Sequence, residues 1–282
     1  MRDLCFWFGF DTMGDFVFNK SFRMLTDNKW HSVIVCLQNA LSLLGPFSPA
    51  PWLIQLGLRL GPSVWVLKDW HDSVSWAKGE MRARLDRGLA KQEKPDLTYY
   101  LMEQEAETSF KDSYYWMHGD SLLAIVAGSE PTAYVLLGVF CELAKHPEHA
   151  EKIYSELQDA DISDMKILNR LPHLNGVINE TLRLYPVLLT GGARKNMSEG
   201  INVGDTYIPP NTTIVAPRYS IMRSRLLAMD TMRYVISTIV KKYQFRLAPG
   251  ETGSRVFDDM ADQFTANPGK LALNFQFRKA SS

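Results

Sequence analysis

The chain is poor in cysteine. Its 282 residues include only Cys5, Cys36 and Cys141, which are too few and too widely spaced for a disulfide framework. No Cys-x-x-Cys pair and no clustered set of cysteines and histidines suggests a zinc site. The cysteine content therefore fits a reducing compartment and excludes the disulfide-rich secreted class, and no metal site is expected from these residue types.

Unbalanced charge is also absent, since Lys+Arg and Asp+Glu number 31 each. This balance argues against a nucleic-acid binder and against a polybasic membrane anchor. The N-terminal apolar run is short and is soon interrupted by Asp11 and Asp15, so it does not resemble a signal peptide.

The most apolar region, 33–67, contains seven prolines and glycines. A lipid-exposed spanning helix would not contain so many helix breakers, because the freed backbone groups would lack partners in hydrocarbon. We expect two short helices joined by a proline-rich loop. They could belong to the core, which is the default, or they could dip into a membrane interface.

Hydrophobic residues make up 46% of the chain and aromatic residues 11%, so a sizeable core is available. Residue periodicity predicts a long amphipathic helix over 67–89, a helix capped by Asp96, a buried central helix over 120–145 and further helices after 147, 172 and 225. The region 200–217 predicts strand, turn and strand, and the alternation over 271–278 predicts a half-buried strand. The fold class is therefore mainly α with a minor antiparallel β part.

The central helix contains the sequence AGSEPT, from Ala127 to Thr132. Pro131 lacks an N–H and clashes with the carbonyl of Ala127, which costs about 3 kcal/mol in a helix interior and predicts a kink. A free carbonyl, the Glu130 carboxylate and the Thr132 hydroxyl in an apolar wall would suit a small polar ligand and proton delivery. The alternative is an ordinary packing kink in which Thr132 bonds back to a carbonyl.

Glu180 and Arg183 are three residues apart, just before Tyr185 and Pro186. Residues at this spacing are neighbours on a helix, so the two side chains can form a charge pair before the proline ends the helix. The spacing alone is more often that of a solvated surface pair that adds little stability.

The ordered set AGSEPT, KHPEHAEKIYSEL, LPHLNGVINETLRLYP, GGARKN and YIPPNTTIVAP resembles the haem-thiolate monooxygenases, the cytochromes P-450, and is most similar to fungal members. The resemblance covers nearly the whole chain and implies a single, partial cytochrome P-450 domain over 1–282. It implies that Glu130 and Thr132 relay protons to iron-bound oxygen, and that Glu180 and Arg183 form a structural clamp behind the haem. It also implies that Arg194 pairs with a haem propionate, which a guanidinium can do with two charge-assisted bonds. The alternative for Arg194 is a surface cation beside Lys195.

One family element is missing from this sequence. The family ligates haem iron through a cysteine thiolate in a Phe-x-x-Gly-x-x-x-Cys-x-Gly loop before the last long helix. Here Arg218–Arg223 resembles the segment upstream of that loop, and Ser224–Asp230 resembles the helix after it. We therefore expect a few dozen residues to be missing at the 223/224 join. Met222 is a poor substitute because a thioether carries no charge.

The resemblance also implies that the chain begins inside a helix, after the family's membrane anchor and first sheet. We expect the lineage to be a fungal monooxygenase of secondary metabolism that inserts one atom of O₂ into an apolar substrate. Its cofactor would be haem, its electron donor an NADPH-cytochrome reductase and its location the endoplasmic reticulum membrane within the cell. We expect this chain itself to bind haem poorly and not to turn over. The alternative is a non-catalytic remnant or splice product that associates with membranes through 33–67 or binds apolar ligands.

Overall fold

The computed structural model of the chain describes residues 1–42, 47, 51–61, 64–87, 95–108, 113–187, 193–196, 199–215, 228–263 and 265–278. These residues form twelve helices: α1 Arg2–Phe18, α2 Met24–Asp27, α3 Ser32–Leu41, α4 Pro51–Leu60, α5 Trp65–Asp86, α6 Leu97–Thr108, α7 Ser113–Lys145, α8 Pro147–Glu156, α9 Met165–Leu168, α10 Pro172–Leu184, α11 Ala228–Lys242 and α12 Arg255–Asp258. The helices predicted over 67–89 and 120–145 and after 147, 172 and 225 are present as α5, α7, α8, α10 and α11 within the described residues.

The strands are short: β1 Ala193–Lys195, β2 Ile201–Val203, β3 Thr206–Ile208, β4 Thr213–Val215, β5 Tyr243–Leu247, β6 Ala261–Gln263, β7 Thr265–Asn267 and β8 Leu273–Phe277. They form four antiparallel pairs: β1 with β4, β2 with β3, β5 with β8, and β6 with β7. In the longest pair Phe245 lies opposite Phe275. The mainly α fold with a minor antiparallel β part is as the sequence predicts.

Helix α7 is the centre of the core. Tyr134, Leu137, Val139 and Phe140 are fully buried, because the helix packs against α1, α5, α10 and α11. Within the described ranges, Gly119–Lys145 is the one helical stretch long and apolar enough to cross a membrane. Its side chains are mostly buried inside this fold, as in a core helix.

The crossing of α1 and α7 depends on small residues. A Cβ on Gly9 would lie 2.7 Å from the Ser129 carbonyl oxygen, and one on Gly128 would collide with the Met13 side chain. The two helices therefore approach closely just before Glu130.

The two helices predicted in 33–67 are present as α3 and α4, and most of the predicted loop between them lies outside the described residues. Helix α3 joins the core through Ile34 and Leu37. The default expectation of core is wrong for α4, where Trp52, Leu56 and Leu60 are 61%, 47% and 77% exposed. Apolar composition alone did not separate these two environments.

The predicted cap at the start of α6 is confirmed, since the Asp96 carboxylate accepts a hydrogen bond of 2.7 Å from the Tyr99 N–H. The same carboxylate pairs with Arg84 of α5 through bonds of 2.5 and 2.9 Å. Both side chains are essentially inaccessible to solvent. One buried ion pair therefore closes the connection between α5 and α6.

Candidate functional site

The Glu130 carboxyl lies in the middle of α7 and is 4% exposed. The Thr265 hydroxyl, on β7, donates a 2.6 Å hydrogen bond to its Oε2, and the polar side chain of Gln38 on α3 lies nearby. Burial raises the pKa of Glu130, while the Thr265 and Gln38 side chains and the charge of Arg2 oppose the rise. The site thus places a proton-holding group in a dry environment formed by several elements.

Thr132 is 6% exposed, and its hydroxyl donates to the carbonyl of Gly128 at 2.8 Å. Ser129 makes the equivalent bond to Ile125 at 2.6 Å. This back-bonding is the alternative stated above for AGSEPT, and α7 remains helical on both sides of Pro131. Glu130 and Thr132 therefore lie in one stretch of helix but have different hydrogen-bond partners.

Glu180 and Arg183 form the expected charge pair near the end of α10. Two bonds, of 2.9 and 2.5 Å, join the guanidinium to the carboxylate. The side chains are 55% and 60% exposed, and the hydrogen bond from Arg183 lowers the pKa of Glu180. The pair is thus well formed but solvated.

A cleft of about 340 Å³ opens beside this pair, between α7, α8 and α10. Its wall includes His146, His149 and His173, and ring nitrogens of the last two lie 3.1 Å apart. Within the part of the chain that the structure describes, no group of three histidine, cysteine or acidic side chains is arranged to hold a metal ion.

Arg194 lies in β1, opposite Ile214 of β4. Its side chain is outside the described residues, so its pairing with a propionate remains a prediction. Met222 and the 223/224 join fall in 216–227, which also lies outside them.

The three cysteines do not fit a haem-thiolate ligand. Burial raises the pKa of the Cys5 thiol to about 12. Cys141 is fully buried on α7, where its thiol donates to the Gly253 carbonyl at 3.8 Å. Desolvation also raises the pKa of Cys36. All three cysteines lie within helices, α1, α3 and α7. None lies in a loop before the last long helix, so these residues do not fit the family's thiolate site.

Thr265 and Gln38 are the site residues that the sequence analysis missed. Thr265 is 135 positions from Glu130, and no spacing rule connects a threonine in a three-residue strand with a helical glutamate. The one available signal was the buried acid itself, which requires hydrogen-bond donors from other elements.

The protein-family model for cytochrome P-450 matches residues 1–226. The chain belongs to the cytochrome P-450 family. It is 30% identical to "Cytochrome P-450 monooxygenase notG'" of Aspergillus versicolor over 308 positions, covering 92% of this chain and 55% of that protein. It is 36% identical to tryprostatin B 6-hydroxylase of Aspergillus fumigatus over 79% of this chain and 40% of that protein.

A crystal structure of the cytochrome P-450 CYP102L1 shares the fold, with a TM-score of 0.75 at 16% identity over 99% of this chain and 72% of that one. The cytochrome P-450 chain described here spans about half the length of the two fungal relatives. Its 308-position alignment with the notG' monooxygenase exceeds the 282 residues available, so positions of that relative face gaps in this chain. The family match ends at 226, close to the 223/224 join, as expected if the thiolate loop is missing there.

Proposed function

We propose that the chain derives from a fungal cytochrome P-450 monooxygenase of secondary metabolism. The parent reaction would insert one atom of O₂ into an apolar small molecule, with electrons from an NADPH-dependent reductase. Family membership and the two relatives, whose printed names are a monooxygenase and a hydroxylase, support this lineage. We propose further that the polypeptide as it stands does not carry out the reaction.

The observation that carries the second proposal is the position of the cysteines. A thiolate ligand pushes electron density toward the iron and favours O–O cleavage, but no cysteine lies between 142 and 282. A thiolate at Cys5 or Cys141 would require a charged sulfur in a buried apolar site, which desolvation disfavours. Neither buried cysteine therefore suits the family's ligand chemistry, and Cys36 lies far upstream of the position at which the family places its ligand.

Residues kept from the family's machinery still have local roles. Glu130 can hold a proton in a dry site, and the Thr132 hydroxyl is bonded to its own helix. The Glu180–Arg183 pair forms at the exposed end of α10. None of these groups replaces a thiolate, because none supplies a charged sulfur.

The test is a haem titration of the full recombinant chain, followed by reduction under CO. We expect no shifted Soret band of the thiolate-ligated type. The matched comparison is the chain with any in-frame segment found between codons 223 and 224 restored, which should give that band if the segment encodes the cysteine loop. A thiolate-type band from the unmodified chain would contradict the proposal.

A second candidate function is association with a membrane surface or an apolar ligand through the region 33–67. The supporting observation is a set of exposed apolar side chains on α4 and at the start of α5: Trp52, Leu53, Leu56, Leu60, Val64 and Trp65. Leu53, Val64 and Trp65 also line a cleft of about 330 Å³ between these two helices. An amphipathic helix with exposed Trp and Leu side chains can lie in a membrane interface.

Liposome flotation tests this second function. Replacing Trp52, Leu56 and Leu60 together with Gln should abolish flotation with neutral vesicles, because the inserted apolar area is lost. Leu123→Gln is the matched control, since Leu123 is 62% exposed on another helix. Equal flotation of all three proteins would exclude α4 as the contact, and association with the endoplasmic reticulum membrane would then need another explanation.

A further inference from the structure

The short hairpin β6–β7 is attached to the rest of the molecule at its second strand. Thr265 and Ala266 are 5% and 1% exposed. The N–H of Ala266 donates to the Val187 carbonyl at 2.8 Å, which ties the hairpin to the chain after α10. The Thr265 hydroxyl makes the 2.6 Å bond to Glu130 that ties it to α7.

Helix α1 holds the other end of this hairpin. The Arg2 guanidinium donates to the Asn267 side-chain oxygen at 2.6 Å and to the Pro268 carbonyl at 2.9 Å. Arg2 also pairs with Asp3. The groups that face the Glu130 carboxyl from neighbouring elements are thus the Arg2 charge from α1, the Gln38 amide from α3 and the Thr265 hydroxyl from β7.

We propose that Thr265 is a positioning residue for Glu130, and that their hydrogen bond makes the docking of the β6–β7 hairpin on α7 depend on the charge of Glu130. The proposal concerns this chain's own residues and does not require bound haem. It therefore stands or falls separately from the proposed function.

The physical basis is the small number of donors around a buried acid. A neutral carboxyl tolerates a dry site, whereas a carboxylate needs hydrogen bonds that replace water. Here the Thr265 hydroxyl makes the hydrogen bond to the carboxyl, and the Gln38 side chain and the Arg2 charge also favour the charged form. The ionised Glu130 carboxylate is therefore stabilised by the Thr265 hydroxyl of the hairpin. Loss of this hydroxyl destabilises the ionised form more than the neutral form.

The sign of the pH dependence follows from the direction of the pKa change. Burial raises the pKa of Glu130 in the folded state above its ordinary value. Its contribution to stability is therefore fully present below the ordinary carboxyl pKa and is lost as pH rises through the raised folded value. Removing the Thr265 donor should raise the pKa of Glu130 in the folded state further. The loss of stability should then continue to higher pH.

The experiment compares urea unfolding midpoints from pH 4 to 8 for the wild-type chain, Thr265→Val, Thr265→Ser and Glu130→Gln. The wild-type midpoint should fall with pH relative to Glu130→Gln. In Thr265→Val this fall should begin at the same pH but continue about one pH unit higher, the size expected for a hydrogen bond to a charged group. The difference in midpoint from the wild type should therefore widen as pH rises. Thr265→Ser should restore the wild-type profile, because it keeps the hydroxyl.

A purely structural threonine would give a different result, in which Thr265→Val lowers the midpoint equally at every pH. That result would overturn the proposal, as would parallel profiles for the wild type and Glu130→Gln. If Thr265→Val does not fold, infrared titration of the wild type still decides the question. The infrared band of the protonated Glu130 carboxyl is identified as the band that is missing from Glu130→Gln. As pH rises, this band must disappear over the same pH range in which amide hydrogen exchange of residues 261–267 becomes faster in the wild type than in Glu130→Gln. Separate pH ranges for these two changes would also overturn it.

Discussion

Substitution of Asp96 by Ala should destabilise the chain more than any surface substitution. The change removes the carboxylate that pairs with the Arg84 guanidinium, which has no solvent exposure, and removal of one partner from a buried ion pair typically costs about 3–5 kcal/mol. It also removes the acceptor of the Tyr99 N–H, and loss of such a helix cap adds about 1 kcal/mol. We therefore expect a loss of roughly 4–6 kcal/mol in the free energy of unfolding, or about 7–10 °C in the unfolding midpoint of a chain of this size.

The assay is thermal and urea unfolding followed by circular dichroism at 222 nm. Asp72→Asn is the matched control, because Asp72 forms an exposed pair with Lys68 on the same helix α5, and it should leave the midpoint unchanged within error. Replacing both buried partners together, Arg84→Met with Asp96→Leu, should recover most of the loss, since two apolar side chains leave no buried charge. A midpoint for Asp96→Ala close to that of Asp72→Asn would refute the reasoning.

Three further predictions concern α7, the cysteines and α10. Gly128→Ala should destabilise the chain by about 1–3 kcal/mol through overpacking against α1. Gly119→Ala, which has open space around it, should be neutral or should stabilise the chain by up to about 1 kcal/mol. Urea unfolding compares the two variants. Thiol titration of the native chain should modify Cys36 first, and the two buried cysteines only after denaturant is added, so three equally fast thiols would contradict the described burial. Glu180→Gln should not change the unfolding midpoint at pH 7, because the pair is solvated. Any remaining difference in midpoint between Glu180→Gln and the wild type should disappear on acidification. Arg183 lowers the pKa of Glu180, so the pair's contribution to stability is lost as pH falls through the lowered pKa.

Local signals in the sequence predicted much of this fold correctly. The apolar run over 120–145 became α7, the alternation over 271–278 became β8, and Asp96 became a helix cap. The Glu180–Arg183 pair formed because three-residue spacing on a helix brings two side chains together. Each of these predictions depends on residues within about one or two helical turns of one another.

The features that the sequence did not reveal are long-range or depend on the environment. The Thr265–Glu130 bond joins a strand to a helix that lies far upstream, and the partner of Asp96 across the α5–α6 connection follows no periodic rule. The exposure of α4 was missed because a run of Leu and Trp has the same composition in a core as on a surface. These contacts depend on how the elements pack, which local periodicity does not encode.

The elements that build the core around α7 lie on both sides of the 223/224 join. Helix α7 is held by α1, by β7 and by α11, whose Met232, Ile236 and Val240 are almost fully buried, and these elements lie on both sides of the 223/224 join. The apolar residues of the core are therefore buried by elements that flank this join. The Glu180–Arg183 pair lies outside this core. Because the pair is open to solvent, it contributes little stability even though its geometry is good. The stability of the fold therefore comes from the buried packing around α7 and not from this exposed ion pair.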